Sequence, residues 1–289
     1  MQRSEYIRPA NLFHYGITLL LISLCIAFLS TPLYAEDSPH LTLVLPAESI
    51  GSFASMNGLG DPKKGLINQL MEKLVEDTDI RITTVKIPTL RVIDKISHQE
   101  VDNWVSYMFD KSLIPESSNK DITISPESLN AVAIPIAGFE TKLWVKSSNA
   151  KKYVHPEDFK GKTVLKIRTV TYTSYRDILK SYQLEIKDAP SLPSAIKMIM
   201  SDRADFLMMS ESSIYWNYKS LGITRNQLTP ITLNSSMTPF SNILLLFDKR
   251  IPILNQLLER IEIMEKNGEL DTIRKALYLS PPSRPTNDK

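Results

Sequence analysis

The sequence predicts an α/β protein made of two similar units, each a mostly parallel β-sheet flanked by helices. Segments with the two-residue alternation of strands are followed by segments with helical spacing, and this order of elements begins twice. The 289 residues are enough for one large or two small domains. The sequence shows no repeat of fixed period, which argues against a solenoid.

The first unit opens with an alternating segment rich in apolar residues, His40–Pro46, which predicts a strand. Apolar residues at helical spacing within Ile67–Val75 predict a helix with one buried face. A second strand is predicted at Arg81–Ile87, a short helix after Pro88, and a third strand at Val101–Met108. This order is typical of a parallel sheet covered by helices.

The second unit repeats the alternation with shorter segments. The predicted strands are Lys142–Lys146, Gly161–Ile167, Leu184–Lys187 and Ala204–Met209. The predicted helices are Tyr172–Tyr182, a helix that begins at a cap residue (Ser191 or Ser194), and Ser212–Ser220.

The C-terminal part adds one strand and two helices. Asn242–Phe247 predicts a buried strand. Apolar residues within Leu254–Met264 line one face of a helix, and Asn267-Gly268 supplies its stop signal. A last short helix is predicted at Glu269–Leu277.

Residues 1–35 have the pattern of a cleavable signal peptide. Arg3 and Arg8 give a positively charged start, residues 16–30 are almost wholly apolar, and Ala35 is a small residue at the expected cleavage site. The alternative is an uncleaved anchor, but the apolar run is shorter than the ~20 residues that span a bilayer. We therefore expect a periplasmic protein whose only membrane contact is through this segment.

Composition and motifs exclude several functions. The 34 Lys and Arg against 32 Asp and Glu leave a net charge of +2, so nucleic acid is not an expected partner. Cys25 is the only cysteine, which excludes an intramolecular disulfide and a thiolate zinc site. Motifs for nucleotide binding, zinc proteases and serine hydrolases are missing from the sequence. We expect no cofactor, no metal and no catalytic residues.

Several strings occur in an order that points to a known family. Phe159–Arg168 reads Phe-Lys-Gly-Lys-Thr-Val-Leu-Lys-Ile-Arg, Met198–Asp205 contains Ser-Asp-Arg-Ala-Asp, and Met264–Gly268 reads Met-Glu-Lys-Asn-Gly. With these strings the chain resembles the bacterial periplasmic solute-binding proteins of the polar amino-acid (family 3) type. The resemblance covers nearly all of the chain after residue 35.

The resemblance implies a type II periplasmic-binding fold, with two lobes, two crossover strands and a ligand cleft between the lobes. The crossover strands are expected within Glu140–Lys146 and Asn242–Phe247. The expected divisions are residues 36–141 with 247–280 for lobe I, residues 142–246 for lobe II, and residues 281–289 for a loose tail.

The sequence departs from the family pattern at two places. Many amino-acid binders carry an Arg after a Thr-Pro-Glu turn, whereas the turn Ser125–Ser128 here reads Ser-Pro-Glu-Ser. The Asp that takes the ligand's ammonium group in the family is replaced by Ser210, with Glu211 beside it. The resemblance implies a small polar solute, either an amino acid or a small carboxylate-like molecule, and these two departures count against the amino acid.

Three candidate ligand contacts follow the strand that ends near Ile167. Arg168 carries a guanidinium, which can bind a carboxylate through two parallel hydrogen bonds. Thr169 and Thr171 supply hydroxyl groups from the following turn. The alternative for Arg168 is a surface arginine or a salt bridge between the lobes. The alternative for Thr169 and Thr171 is that they are ordinary turn residues.

Four further candidates come from other elements. Trp104 and Tyr107 lie on a predicted strand, where Trp104 can cover an apolar ligand group or pack in the core. Phe53 stands where the family presents an aromatic wall, or is tucked onto its lobe. Glu211 can meet a ligand amine or begin a helix, where acids are favoured.

The resemblance implies a monomeric periplasmic binding protein that closes on its ligand and hands it to an inner-membrane ABC transporter. A sensory or accessory binding protein that signals to a membrane partner is the main alternative. A cyclohexadienyl-dehydratase-like enzyme is a further alternative, with Glu48 or Glu211 as the acid or base.

Overall fold

Strands and helices alternate through most of the chain, as the sequence predicts. A computed structural model describes residues 38–47, 53–54, 65–110, 125–167, 179–231 and 240–282. Its strands are β1 (His40–Pro46), β2 (Arg81–Ile87), β3 (Trp104–Phe109), β4 (Ala131–Lys146), β5 (Thr163–Ile167), β6 (Glu185–Ala189), β7 (Phe206–Ser210), β8 (Leu228–Ile231) and β9 (Phe240–Asp248). Its longer helices are α1 (Leu66–Val75), α2 (Thr89–Ser97), α3 (Leu192–Met200), α4 (Glu211–Leu221), α5 (Leu254–Lys266) and α6 (Glu269–Ala276).

Most predicted elements are confirmed within a few residues of their expected ends. Of the two candidate caps of α3, the structure selects Ser191, whose hydroxyl accepts a hydrogen bond from the Ser194 amide at 3.3 Å. Of the predicted helix Tyr172–Tyr182, residues 179–181 are helical and residues 172–178 lie outside the described residues. The short strand β8 was not predicted.

The strands form a sheet that is parallel toward both ends and antiparallel in its middle. The order is β2-β1-β3-β9-β4-β7-β5-β6, and β8 also pairs with β4. β1 is parallel to β2 and β3, and β5 is parallel to β6 and β7. β9 is antiparallel to β3 and β4, while β4 is antiparallel to β7 and β8. The predicted α/β fold class is confirmed.

The long strand β4 belongs to both ends of this sheet. Residues Ala131–Glu140 pair with β9, whereas Thr141–Lys146 pair with β7 and β8. We call β1, β2, β3, β9 and the first part of β4 the first sheet segment, and the second part of β4 with β5 to β8 the second sheet segment. The sequence predicted only Lys142–Lys146 as a strand. The earlier part contains Pro135, where the register shifts, and proline is atypical of a strand interior.

The strand β9 lies wholly in the first sheet segment. It pairs with β3 and with β4 from Phe240 to Asp248. It lies beside β4 in the middle of the sheet, and the expected crossover at Asn242–Phe247 stays a prediction. β8 pairs in the second segment, so the chain returns between Ile231 and Phe240, and residues 232–239 lie outside the described residues.

Each sheet segment carries apolar clusters on both of its faces. On β1, Leu43 belongs to the cluster under α1, α5 and α6, while the next residue, Val44, belongs to the cluster under α2. On β4, Leu143 and Trp144 divide in the same way between two clusters of the second segment. Residues Pro39–Lys289 group as one compact unit. The division into two lobes stays a prediction.

A glycine at the start of α1 fixes the position of the loop that carries Phe53. A Cβ atom at Gly65 would lie 2.6 Å from the Ala54 nitrogen, too close for any other residue. The Ile67 amide donates to the Phe53 carbonyl at 2.9 Å, which satisfies one of the free amides of the first helical turn.

The chain returns to β4 after the last helix. Gly268, with φ of +82°, separates α5 from α6, which confirms the predicted stop. Ser280 then pairs with Gly138 of β4 through hydrogen bonds of 2.8 and 2.9 Å. Residues 283–289 of the expected tail lie outside the described residues.

Arg274 joins the C-terminal helices to β4. Its side chain is 1% exposed and donates to the Ile136 carbonyl at 2.7 Å. It also pairs with Glu265 at 2.6 Å and with Asp271 at 2.9 Å. Because the two carboxylates are half exposed, the buried carbonyl is the partner that depends most on this arginine.

In the part of the chain that the structure describes, none of the helices combines the length and the apolar character that crossing a bilayer requires.

We predict that Arg274→Met lowers the free energy of unfolding by about 1–3 kcal/mol, because it leaves the Ile136 carbonyl buried without its donor. Urea unfolding followed by circular dichroism measures the difference. The matched control is Lys275→Met, an exposed neighbour, which should change stability by less than about 0.5 kcal/mol. Equal effects of the two substitutions would contradict this account of Arg274.

Candidate ligand site at the carboxyl ends of the strands

The carboxyl ends of parallel strands from both sheet segments come together where β4 changes its partner. Phe139 still pairs with Ser241 of β9, and Thr141 already pairs with Ser210 at the end of β7. Residues two apart on a strand point to the same side, about 6–7 Å from each other. Open α/β sheets bind ligands at such edges.

An aromatic cluster marks this edge in the first segment. Phe53, Phe109 and Phe139 pack around one another with ring centroids 4.9–5.2 Å apart. Tyr107 contacts Phe109 at 6.0 Å, and burial raises the pKa of Tyr107. The predicted residues Phe53 and Tyr107 thus meet through Phe109 and Phe139, which the sequence analysis missed. The position of Phe109 at the carboxyl end of β3 was the available signal.

A buried hydroxyl cluster marks the same edge in the second segment. Ser210 is the last residue of β7, and its hydroxyl accepts a hydrogen bond from the Ser213 amide at 3.3 Å, which caps α4. The same hydroxyl lies 2.8 Å from that of Ser213 and 3.2 Å from that of Ser212. Ser210 therefore carries out a structural task at the position where the family has an acid.

Glu211 forms an ion pair at the start of α4. Its carboxylate lies 2.5 Å from the Lys142 ammonium, and the side chains are 34% and 24% exposed. Partial burial acts to raise the pKa of Glu211, but hydrogen bonds from Lys142 and Tyr215, with the charge of Lys142, hold it below its usual value. Burial and the bond to Glu211 raise the pKa of Tyr215 to about 12. Lys142 was not among the predicted site residues.

A second carboxylate near this edge is also engaged. Asp110 follows β3, and its oxygens accept hydrogen bonds from the Asn242 amide at 2.9 Å and the Asn242 side chain at 2.8 Å. The pair ties the end of β3 to β9.

The structure separates Trp104 from these clusters. The indole is 1% exposed and packs among Val44, Ile87 and Val92 between the sheet and α2. In this arrangement Trp104 has no exposed surface for a ligand, which agrees with the alternative that it packs in the core.

Three predicted contacts, Arg168, Thr169 and Thr171, lie outside the described residues, as does Glu48. The described chain reaches Ile167 at the carboxyl end of β5. Their contact with a ligand stays a prediction.

Asp205, from the string shared with the family, has a structural role. It accepts hydrogen bonds from the Tyr153 hydroxyl and the Thr163 amide, both at 2.9 Å. These bonds hold the start of β5 beside the start of β7. Within the described residues there is no group of three or more His, Cys, Asp or Glu side chains placed to hold a metal ion.

Comparison with known proteins gives matches in structure alone. Neither a protein-family model nor a curated protein matches the sequence. The GluR0 ligand-binding core in complex with L-glutamate gives a TM-score of 0.59 at 12% identity, covering 84% of this chain and 99% of that chain. The probable amino-acid ABC transporter extracellular-binding protein of Bacillus subtilis gives 0.58 at 13% identity, covering 83% and 98%. An ancestral amino-acid-binding protein, a precursor of cyclohexadienyl dehydratase, gives 0.57 at 17% identity, covering 83% and 96%.

These similarities show that the chain has the type II periplasmic-binding fold. The match extends over nearly the whole length of each solved structure.

We predict that Glu211→Gln lowers stability by about 0.5–1 kcal/mol at pH 7, because the ion pair is partly screened by solvent. The pKa of Glu211 is lowered in the folded state, so its contribution is complete above 4.5, the ordinary pKa of a glutamate side chain. It is lost as the pH falls through the lowered pKa.

Urea unfolding of the parent and the variant between pH 7 and pH 3 measures this dependence. The difference should shrink below about pH 4.5. Glu259→Gln, at an exposed position of α5, is the control and should show no such trend. A difference that stays constant over the range would contradict the assignment.

Proposed function

We propose that the protein is a periplasmic solute-binding protein that captures a small polar solute and delivers it to an inner-membrane ABC transporter. The observation that carries this proposal is the match of the fold, over 83–84% of the chain, to amino-acid-binding proteins. Polar and aromatic groups meet at the edge where this type of sheet binds ligands.

The proposed mechanism is binding by closure of the two sheet segments. Each segment has its own apolar clusters, and β4 passes from one segment to the other between Glu140 and Thr141. A small rotation of the backbone at these residues would move the hydroxyl cluster relative to the aromatic cluster. A solute between them would contact both segments and lose most of its water.

Arg168 is the residue that we expect to bind a carboxylate of the solute. It directly follows β5, whose carboxyl end lies on the same sheet edge as that of β7. A bidentate pair of charged hydrogen bonds would anchor the solute, while Thr169 and Thr171 would add hydroxyl donors. This assignment supports a ligand with at least one carboxylate.

The ionisation of Glu211 favours binding over catalysis. Its lowered pKa keeps the carboxyl group ionised at neutral pH, so it cannot serve as a general acid there. Tyr215 keeps its proton, because its pKa is about 12. Neither group is tuned toward neutral pH, as a dehydratase acid or base would be.

The protein's location and partners follow from the proposed role. Residues 1–35 would direct export and be removed, and a monomer would then exchange solute with a membrane permease. A sensory partner would use the same closure, and the two roles differ only in what recognises the closed form.

Thermal shift followed by calorimetry against amino acids, small carboxylates and amines tests the function. A true ligand at one hundred times its Kd should stabilise the protein by about 2.7 kcal/mol. Arg168→Gln should weaken binding about 10- to 150-fold, as expected for the loss of a charged hydrogen bond of ~1.5–3 kcal/mol. The exposed Arg203→Gln is the matched control and should bind like the parent. Folded protein that binds none of these classes would contradict the proposal.

A further inference from the structure

The side chains of two tyrosines and an arginine contact one another. Tyr215 lies on α4, Arg225 follows that helix, and Tyr278 follows α6. The Arg225 guanidinium lies 4.9 Å from the ring centroid of Tyr215 and 5.2 Å from that of Tyr278. The two rings contact each other edge to face at 5.1 Å, and Arg225 donates a hydrogen bond to the Tyr278 hydroxyl. We call these three residues the Arg225 clasp.

The clasp joins the two sheet segments. Tyr278 lies between Leu277 and Leu279, which are buried in the core of the first segment. Tyr215 lies on α4, packed against the core of the second segment, and Arg225 precedes β8 of that segment. The contact among their side chains therefore crosses from one segment to the other.

Both sides of the clasp are anchored in their own segment. On the first side, Ser280 pairs with Gly138 of β4 through two backbone hydrogen bonds. On the second side, the Tyr218 hydroxyl donates to the Arg225 carbonyl at 3.3 Å. A relative movement of the segments would thus separate Tyr278 from Arg225.

The backbone at Tyr278 belongs to the turn that ends α6. Its φ of +57° lies in the left-handed region, and the Leu279 amide donates to the Arg274 carbonyl at 2.9 Å, as at many helix C-termini. The ring is also 48% exposed, so burial does not explain why a tyrosine stands there. The helix end therefore fixes the position of the ring, and its ring contacts are with Arg225 and Tyr215 of the clasp.

We propose that the Arg225 clasp is a conformational latch that holds the two sheet segments in the arrangement of this structure. Cation–π contacts at exposed sites are weak, so two of them shift an equilibrium between arrangements by about 5- to 30-fold. A latch of this size can hold the segments together and still be released by ligand binding or a partner. The inference does not depend on which ligand is bound.

Tyr215 connects the latch to the candidate site. The Tyr215 hydroxyl donates to Glu211, which pairs with Lys142 next to the point where β4 changes its partner. A change in the position or charge of the Glu211 carboxylate would therefore act on the Tyr215 ring through this hydrogen bond. This link rests on the proposed function, whereas the latch itself does not.

Distance measurement between spin labels tests the latch in the absence of ligand. Labels are placed at Val154 and Ile263, which are 69% and 53% exposed and belong to the second and first segment sides, respectively. The full chain carries Cys25→Ser, so no other thiol reacts. We expect Arg225→Gln to shift or broaden the distance distribution, with the population of the parent arrangement relative to others reduced about 5- to 30-fold.

Three further variants separate the latch from general stability. Arg203→Gln removes an exposed arginine outside the clasp and should leave the distribution unchanged. Tyr278→Phe keeps both rings but removes the hydrogen bond from Arg225, so its distribution should lie between those of the parent and Arg225→Gln. Tyr278→Gly removes the ring but relieves the positive φ, so it should fold well and resemble Arg225→Gln. Distributions for Arg225→Gln and Tyr278→Gly that match the parent would overturn the proposal, whether or not a ligand is ever found.

Discussion

The backbone hydrogen bonds of β4 are the constraint on which the rest of the structure depends. One strand satisfies its donors and acceptors against β9 over Ala131–Glu140 and against β7 and β8 over Thr141–Lys146. Buried backbone groups must be paired, so this strand fixes where both sets of parallel strands lie. The aromatic and hydroxyl clusters lie on either side of the point where β4 changes its pairing partner, between Glu140 and Thr141.

The same strand explains why side chains from distant parts of the chain lie together at the carboxyl ends of the parallel strands. Phe53 comes from an early loop, Phe109 from the end of β3 and Ser210 from the end of β7, yet each is placed relative to Phe139 or Thr141 of β4. A parallel sheet directs all its carboxyl ends to one edge. Joining two such sheets through one strand brings two edges together, at which Phe53 and Ser210 are themselves buried, each 2% exposed.

The sequence was sufficient to predict most of the strands and helices, but it was not sufficient to predict which strands pair with one another. Alternation and apolar β-branched content identified β1 and β2, and helical spacing with a clear stop signal identified α5. The same patterns missed the first part of β4 and did not show that β9 pairs with β3 and β4, since pairing depends on contacts between residues far apart in the chain. Trp104 shows why site residues are hard to predict from sequence. The pattern around a tryptophan on a strand is the same whether its side chain faces a ligand or, as here, the core. Lys142 was missed because its partner, Glu211, lies 69 residues away in the sequence.

The polar groups at the described edge already bind one another, and this determines what a ligand must do. Ser210 caps α4, Glu211 accepts from Lys142, and Asp110 accepts from Asn242. A buried polar group left without a partner costs about 1–3 kcal/mol, so these internal bonds stabilise the ligand-free protein. A solute that only exchanges them gains little. In the proposed function, net affinity would come from contacts that form when both segments enclose the solute and remove its water.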